Sequence, residues 1–73
     1  MTKYYVGYTQ GNGEYVYITQ VDNSTVRVTT LLESAISFDD VELAKDLSKI
    51  AKSIVANQEY VVLEIKTNIK EVK

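Results

Sequence analysis

The chain has 73 residues with a formal net charge of −2, and hydrophobic and charged residues make up 45% and 25% of it. This length allows one domain, residues 1–73, with a thin core, because such a domain buries only ~60% of the surface that its unfolded chain exposes. The sequence contains neither cysteine nor histidine, which excludes disulfides, thiol or imidazole catalysis and zinc sites with those ligands.

Two alternating segments open the chain. Residues 3–10 and 14–20 are rich in Tyr, Val, Ile and Thr, which predicts two antiparallel strands. The intervening Gly11-Asn12-Gly13 tolerates positive φ and indicates a hairpin turn. We prefer the register that pairs Gln10 with Glu14, because it collects the aliphatic residues on one face and a buried face specifies register. The Asn-Gly dipeptide alone favours a two-residue turn and the other register.

A third strand follows the turn at Asp22-Asn23-Ser24 and covers residues 25–30. Pairing Val21 with Thr25 places Val28 opposite Ile18. The same register places Val26 opposite Gln20, Arg27 opposite Thr19 and Thr29 opposite Tyr17. The three strands then form a meander with one aliphatic face and one Tyr/Thr face.

The next element is a helix from about residue 40 to 56. Asp39 is the predicted N-cap, since a short acceptor side chain can bond the free backbone N–H groups of the first turn. Glu42 occupies the capping-box position, and Asn57 is the predicted left-handed stop. Phe38 and Leu43 have the spacing of a hydrophobic staple.

A last strand at residues 60–66 completes the predicted order β-β-β-α-β, with Val61, Leu63 and Ile65 directed at the helix. This order indicates a two-layer α+β fold in which one helix covers one face of a four-stranded, mostly antiparallel sheet. We expect the last strand to run parallel to the first or third through a right-handed crossover, in the order 3-2-1-4. Residues 67–73 extend this strand or fray. The predicted core is Val6, Tyr8, Val16, Ile18, Val28, Phe38, Leu43, Leu47, Ile50, Ile54, Leu63 and Ile65.

Catalytic and cofactor patterns are absent from the sequence. The three glycines lack phosphate-loop spacing, and no motif surrounds the serines. Asp39, Asp40 and Glu42 are interpreted as a capped helix start rather than a cation site. We therefore expect no enzymatic activity, no metal and no cofactor.

The outer face of the sheet is the predicted partner-binding site. It carries Tyr5, Tyr15, Tyr17, Thr19, Arg27 and Thr29. Ordinary strand propensity accounts for such a composition, but the single helix cannot cover this face, and tyrosine is enriched at interfaces.

A basic stripe, defined as Lys45, Lys49 and Lys52, is predicted on the helix. Glu42 and Asp46 offer it partners at i+3, so a solvated face is the first interpretation. Contact with an acidic partner or with phosphates is the second.

Compartment and partners follow from these patterns. The chain begins without the apolar run of a signal peptide, and no stretch approaches the ~20 apolar residues of a membrane helix. We expect a cytoplasmic protein without membrane contact. The acidic net charge disfavours nucleic acid, whose binding displaces counterions by positive charge. A protein partner is therefore favoured, and a homodimer or single-stranded nucleic acid bound on the tyrosines are the alternatives.

The Tyr-rich hairpin and the segment Ala35-Ile36-Ser37-Phe38-Asp39-Asp40-Val41-Glu42-Leu43-Ala44-Lys45 resemble small accessory proteins encoded by bacteriophages of Gram-positive hosts. The resemblance implies a protein that binds a host or phage component in the host cytoplasm. Some such proteins inhibit bacterial defence systems. It assigns no site residues.

Overall fold

The computed structural model describes residues 2–66 and 69–72. In chain order their elements are β1 (Lys3–Thr9), β2 (Tyr15–Val21), β3 (Val26–Thr29), a short 3-10 turn (Leu32–Ser34), α1 (Val41–Ile54), β4 (Val61–Ile65) and β5 (Ile69–Val72). The strands form one antiparallel sheet in the order β3-β2-β1-β4-β5. Helix α1 packs over β1 and β4. The α+β class and the order 3-2-1-4 are confirmed, and β5 is an additional strand.

The β1–β2 hairpin has the preferred register. Gln10 N donates to the Glu14 carbonyl at 2.8 Å, and Gly13 N donates to the Gln10 carbonyl at 2.9 Å. Gly13 has a φ of 86°, a backbone conformation that residues other than Gly, Asn and Asp rarely adopt. The loop therefore has three residues with the left-handed one last, a common hairpin connection that sets this register.

Pairing between β1 and β2 is limited to residues 7–9 of β1. Near the start of β1, Tyr4 N donates to the Phe38 carbonyl at 2.8 Å and Phe38 N donates to the Tyr4 carbonyl at 2.9 Å. Ile36 N donates to the Ile18 carbonyl at 3.0 Å. The connection after β3 thus occupies the gap between β1 and β2. The predicted register, continued along β1, places Tyr4 opposite Gln20, which is wrong because Tyr4 pairs with Phe38.

The β2–β3 pairing contains a bulge between Ile18 and Gln20. Ile18 lies opposite Val28 as predicted, whereas Arg27 lies opposite Gln20 instead of Thr19. An extra residue on one strand shifts the register in this way and increases the local twist.

The bulge also changes the pairing at the turn. Val21 lies opposite Val26 rather than Thr25, and both valines pack against the core beneath α1. Asp22 closes the turn, since its Oδ1 accepts from Thr25 Oγ1 at 2.7 Å and from Thr25 N at 3.0 Å. These bonds hold the pKa of Asp22 below its usual value. The predicted Val21–Thr25 pairing is therefore wrong, and Thr25 is held instead by hydrogen bonds to the Asp22 side chain.

Helix α1 begins one residue later than predicted. Asp40 is the N-cap, with Oδ1 accepting from Glu42 N at 2.9 Å. The predicted N-cap, Asp39, instead forms an ion pair with Lys3. Phe38 is still paired as a strand residue, so the chain reaches helical geometry only after Asp40.

Replacing Asp40 with alanine is expected to destabilise the protein by about 1 kcal/mol, the usual effect of losing an N-cap acceptor. Asp39→Ala is the matched control, and we expect it to change stability by less than about 0.5 kcal/mol, because it removes an exposed ion pair. Urea denaturation of both variants measures the difference. A larger effect for Asp39→Ala would show that the helix starts where the sequence placed it.

The face of α1 that packs on the sheet is built around alanines. Ala44 and Ala51 are completely buried, whereas Leu43 and Ile50 are about half exposed. The predicted staple role of Leu43 and the predicted core positions of both residues are wrong. Residues seven apart lie on the same side of a helix, and the two alanines bring that side against the strands. The helix ends at Ile54, and no described non-glycine residue has positive φ, so Asn57 is not a left-handed stop.

Strand β4 runs antiparallel to β1, with Val61 opposite Gly7 and Ile65 opposite Lys3. The predicted parallel crossover is wrong. Residues 30–38 return the chain to the start of β1 before α1 begins. Helix α1 has 14 residues and a length of about 21 Å, enough for one passage along the sheet, so β4 starts at the far end.

The side chains of β4 face the opposite way from the prediction. Val62 packs in the core beneath α1, and Leu63 lies opposite Tyr5 on the outer face. Because side chains alternate along a strand, Val61 and Ile65 share the outer face with Leu63.

The core beneath α1 contains Val6, Ile18, Ala44, Ala51 and Val62. Val16, also predicted in the core, is buried as well. Other predicted core residues are half-buried: Tyr8, Phe38, Leu47, Ile54 and Ile65. Val28 is 40% exposed at the edge of the sheet. Of the stretch 67–73, residues 69–72 form β5, and residues 67, 68 and 73 lie outside the described residues.

Candidate functional site

The outer face of the sheet brings the three predicted tyrosines together. The rings of Tyr5 and Tyr17 meet edge to face with centroids 6.2 Å apart. The rings of Tyr15 and Tyr17 are 6.5 Å apart and tilted. Pairing of Gly7 with Tyr17 and of Thr9 with Tyr15 places these rings opposite the helix. The shared face is confirmed, and the partner-binding role of these residues remains a prediction.

This tyrosine face is partly closed by its own side chains. Tyr17 is only 7% exposed, and Leu63 on the same face is completely buried. Tyr17 lies opposite Gly7, which has no side chain to hold the ring away from the sheet. The outer face therefore contains a second apolar cluster in addition to the core beneath α1.

A hydrogen bond crosses this face. Tyr15 Oη donates to Glu71 Oε2 at 2.9 Å, although β1 and β4 lie between the strands that carry these residues. Twist and coiling of the sheet bring such distant strands together on one face. The bond to Glu71 raises the pKa of Tyr15, and burial raises the pKa of Tyr17. Both phenols are protonated at neutral pH and can act as hydrogen-bond donors.

The polar residues of the predicted site lie toward the β3 edge. Thr19 Oγ1 donates to the Arg27 carbonyl at 3.4 Å, and Thr29 Oγ1 accepts from Leu31 N at 3.0 Å. Both hydroxyls therefore form hydrogen bonds with nearby backbone groups. Arg27 is exposed on the edge strand, and it is the charged member of the predicted set.

The basic stripe is partly neutralised by carboxylates. Lys45 Nζ lies 3.5 Å from Glu42 Oε2, and Lys52 Nζ lies 3.2 Å from Glu59 Oε1 and 3.2 Å from the Gln58 carbonyl. Lys49 is exposed. The predicted i+3 partner of Lys45 is confirmed.

A third surface, which the sequence analysis did not identify, lies along one side of α1. We name it the helix row and define it as Leu43, Leu47, Ile50 and Ile54. Leu43 and Ile50 are 52% and 51% exposed, and the other two are half-buried. Sequence reasoning assigned the whole apolar arc to the sheet. The spacing of Ala44 and Ala51 was the signal that the contact line lies to one side of this arc.

No metal-binding cluster is found among residues 2–66 and 69–72. In this part of the chain, no three acidic side chains are arranged to hold a metal ion. The described chain also has no helix of the length and apolarity that crossing a membrane requires. The chemistry that these surfaces offer is apolar contact, phenol hydrogen bonding and ion pairing.

The chain was compared with known proteins. No family model, curated protein or solved structure matches it.

Proposed function

We propose that the chain is a non-enzymatic protein-binding module. The observation that carries this proposal is the half-exposed pair Leu43 and Ile50 on the helix row. Full burial of a leucine or isoleucine side chain is favourable by about 1.5–3 kcal/mol. Two such side chains are left half exposed on one side of the helix. A partner that covers them gains the free energy of burying them.

The continuity of the helix row distinguishes it from scattered surface apolar residues. Leu47 lies one turn from both Leu43 and Ile50, and Ile54 continues the row. Single exposed leucines are normal on protein surfaces, whereas contiguous apolar patches mark interaction sites. The helix row is therefore the first candidate surface.

The tyrosine face is the second candidate surface for the same function. Tyr5 and Tyr15 are half-buried, and Ile69, which pairs with Ile65 on the same face, is exposed. Strand edges are a weaker route for a partner. Strands β3 and β5 have four residues each and carry Arg27 or Lys70, and short, charged edges discourage strand addition.

Single-stranded nucleic-acid binding is the other function class that the sequence allows. Stacking needs open aromatic faces and a cationic groove. Tyr17 is buried, and Lys45 and Lys52 already have carboxylate partners. These contacts favour the protein-binding proposal.

Affinity capture tests the proposal. Tagged wild-type protein is incubated with lysate of a Gram-positive bacterium, the host class that the resemblance implies, and the bound proteins are quantified by mass spectrometry. We expect the double variant Leu43→Gln, Ile50→Gln to retain less than about one tenth of a specific partner, since central apolar contacts dominate interface energies. Leu31→Gln, which changes an exposed apolar residue after β3 and outside both candidate surfaces, is the matched control and should capture as wild type does.

Three results discriminate between the surfaces. Loss of capture in Tyr15→Ser, with normal capture by the double variant, would assign the function to the tyrosine face. Equal capture by all folded variants would exclude both surfaces. If wild-type protein captures nothing and stays monomeric in light scattering, the protein-binding proposal is wrong.

A further inference from the structure

The helix row has the spacing of a helix–helix contact. Its four residues follow one another at steps of four, three and four, the order of core positions in a heptad seam. The row extends over 12 residues of α1, from Leu43 to Ile54, or about 16 Å along the axis. This is the length that two to three turns of a second helix can cover. An extended peptide, with a period of two, would not match these steps.

The charges beside the row are acidic. Asp46 lies one turn from both Leu43 and Ile50, and the N-cap Asp40 precedes Leu43 by three residues. Both carboxylates belong to exposed residues.

The lysines of α1 do not border the row. At 100° per residue, the basic stripe lies at least about 100° around the helix from Leu43 and Ile50. Lys45 and Lys52 also have carboxylate partners on their own side. The nearest lysine, the exposed Lys49, lies about 60° beyond Asp46. Within the described part of α1, the carboxylate of Asp46 therefore lies between the row and the basic stripe.

We propose that the helix row binds an amphipathic helix of a partner protein whose apolar side is flanked by Lys or Arg. This inference rests on the proposed protein-binding function and names the chemistry of the partner. A basic helix places cations opposite Asp46 and Asp40, where opposite charges across an interface favour association. A second copy of α1 would bring a second Asp46 to the contact, and its nearest lysine, Lys49, lies about 100° from Ile50 around the helix.

A synthetic peptide tests the charge and the spacing together. The probe is a fluorescein-labelled helix of about 15 residues, long enough to be helical on binding, with Leu at heptad core positions and Lys elsewhere. One control peptide replaces every Lys with Glu, and another scrambles the Leu/Lys order. Binding is measured by fluorescence anisotropy at physiological salt. We expect the Leu/Lys helix to bind wild-type protein and both controls to bind at least about tenfold more weakly.

Protein variants locate the site. Leu43→Gln with Ile50→Gln should weaken binding at least about tenfold, and Asp46→Lys should weaken it about threefold to tenfold by replacing attraction with repulsion. Ile69→Gln should change it less than about twofold, because Ile69 lies on β5. Circular dichroism confirms that each variant is folded. Asp46→Lys alters only an exposed residue and keeps the test valid if the double variant unfolds.

Several results would overturn the inference. Equal binding of the Leu/Glu peptide would show that the partner need not be basic. Unchanged binding by the folded double variant or by Asp46→Lys would show that the helix row is not the binding site. A concentration-dependent dimer that the double variant abolishes would identify a second copy as the occupant instead. If lysate capture depends on Leu43 and Ile50 while the Leu/Lys helix does not bind, the basic-helix inference fails and the protein-binding function stands.

Discussion

Replacing Gly7 with alanine is expected to destabilise the protein by about 2–4 kcal/mol, enough to unfold much of so small a domain. A Cβ atom built on Gly7 overlaps the Val16 carbonyl oxygen and lies 3.1 Å from the Val16 carbonyl carbon. These atoms belong to the backbone of β2, so relief requires the two strands to move apart. Thermal and urea denaturation followed by circular dichroism measure the loss.

Gly11→Ala is the matched control for this prediction. Gly11 lies in the hairpin loop, and a Cβ atom there has no neighbour within 4 Å. We expect its stability to stay within about 0.5 kcal/mol of wild type, as for ordinary surface changes. Similar stability of the two variants would mean that β1 and β2 do not approach closely at Gly7.

Replacing Leu63 with alanine is the second large expected effect, a loss of about 2–4 kcal/mol. Leu63 is completely buried, and truncating a buried leucine removes its transfer free energy and leaves a cavity. The effect matters because Leu63 lies opposite Tyr5, away from α1. A large loss would show that the outer face is packed as a second core.

The control for Leu63 is Ile69→Ala on β5. Ile69 is 42% exposed, so its truncation should cost less than about 1 kcal/mol. Near-ultraviolet circular dichroism adds a specific readout, because Leu63→Ala should loosen the packing of Tyr5 against Tyr17. If Leu63→Ala is as mild as Ile69→Ala, the outer face is open to solvent as the sequence predicted.

Local chemistry made the hairpin predictable. The three-residue loop and the alternation of Tyr8 and Val16 with Thr9 and Tyr15 depend on residues close in sequence, and both were predicted correctly. The grouping of the tyrosines on one face followed from the same register. The N-cap was misplaced by one residue, because the strand-like pairing of Phe38 is a long-range effect that delays the helix.

The helix and β4 show where the sequence signal ends. The apolar arc indicates which side of α1 is hydrophobic. The close packing of Ala44 and Ala51 determines which part of that arc contacts the sheet. Leu43 and Ile50 were therefore assigned to the core in error. The orientation of β4 was also predicted wrongly, since a strand buried on both faces has apolar residues at successive positions. Val62 and Leu63 are both buried, so alternation carried no information there.

The position of β1 has a consequence for the order in which the sheet can assemble. β1 is the middle strand, and one of its edges pairs with β4, which is separated from it by more than 50 residues. That edge stays unpaired in any nascent chain that has not yet reached residue 61. The other edge of β1 stays unpaired near Tyr4 until Phe38 has been made. Contacts between residues so distant in sequence slow folding, and unpaired strand edges in incomplete chains promote aggregation. During synthesis β1 is thus made before β2 and β3, but both of its edges are paired only after β4 has been made.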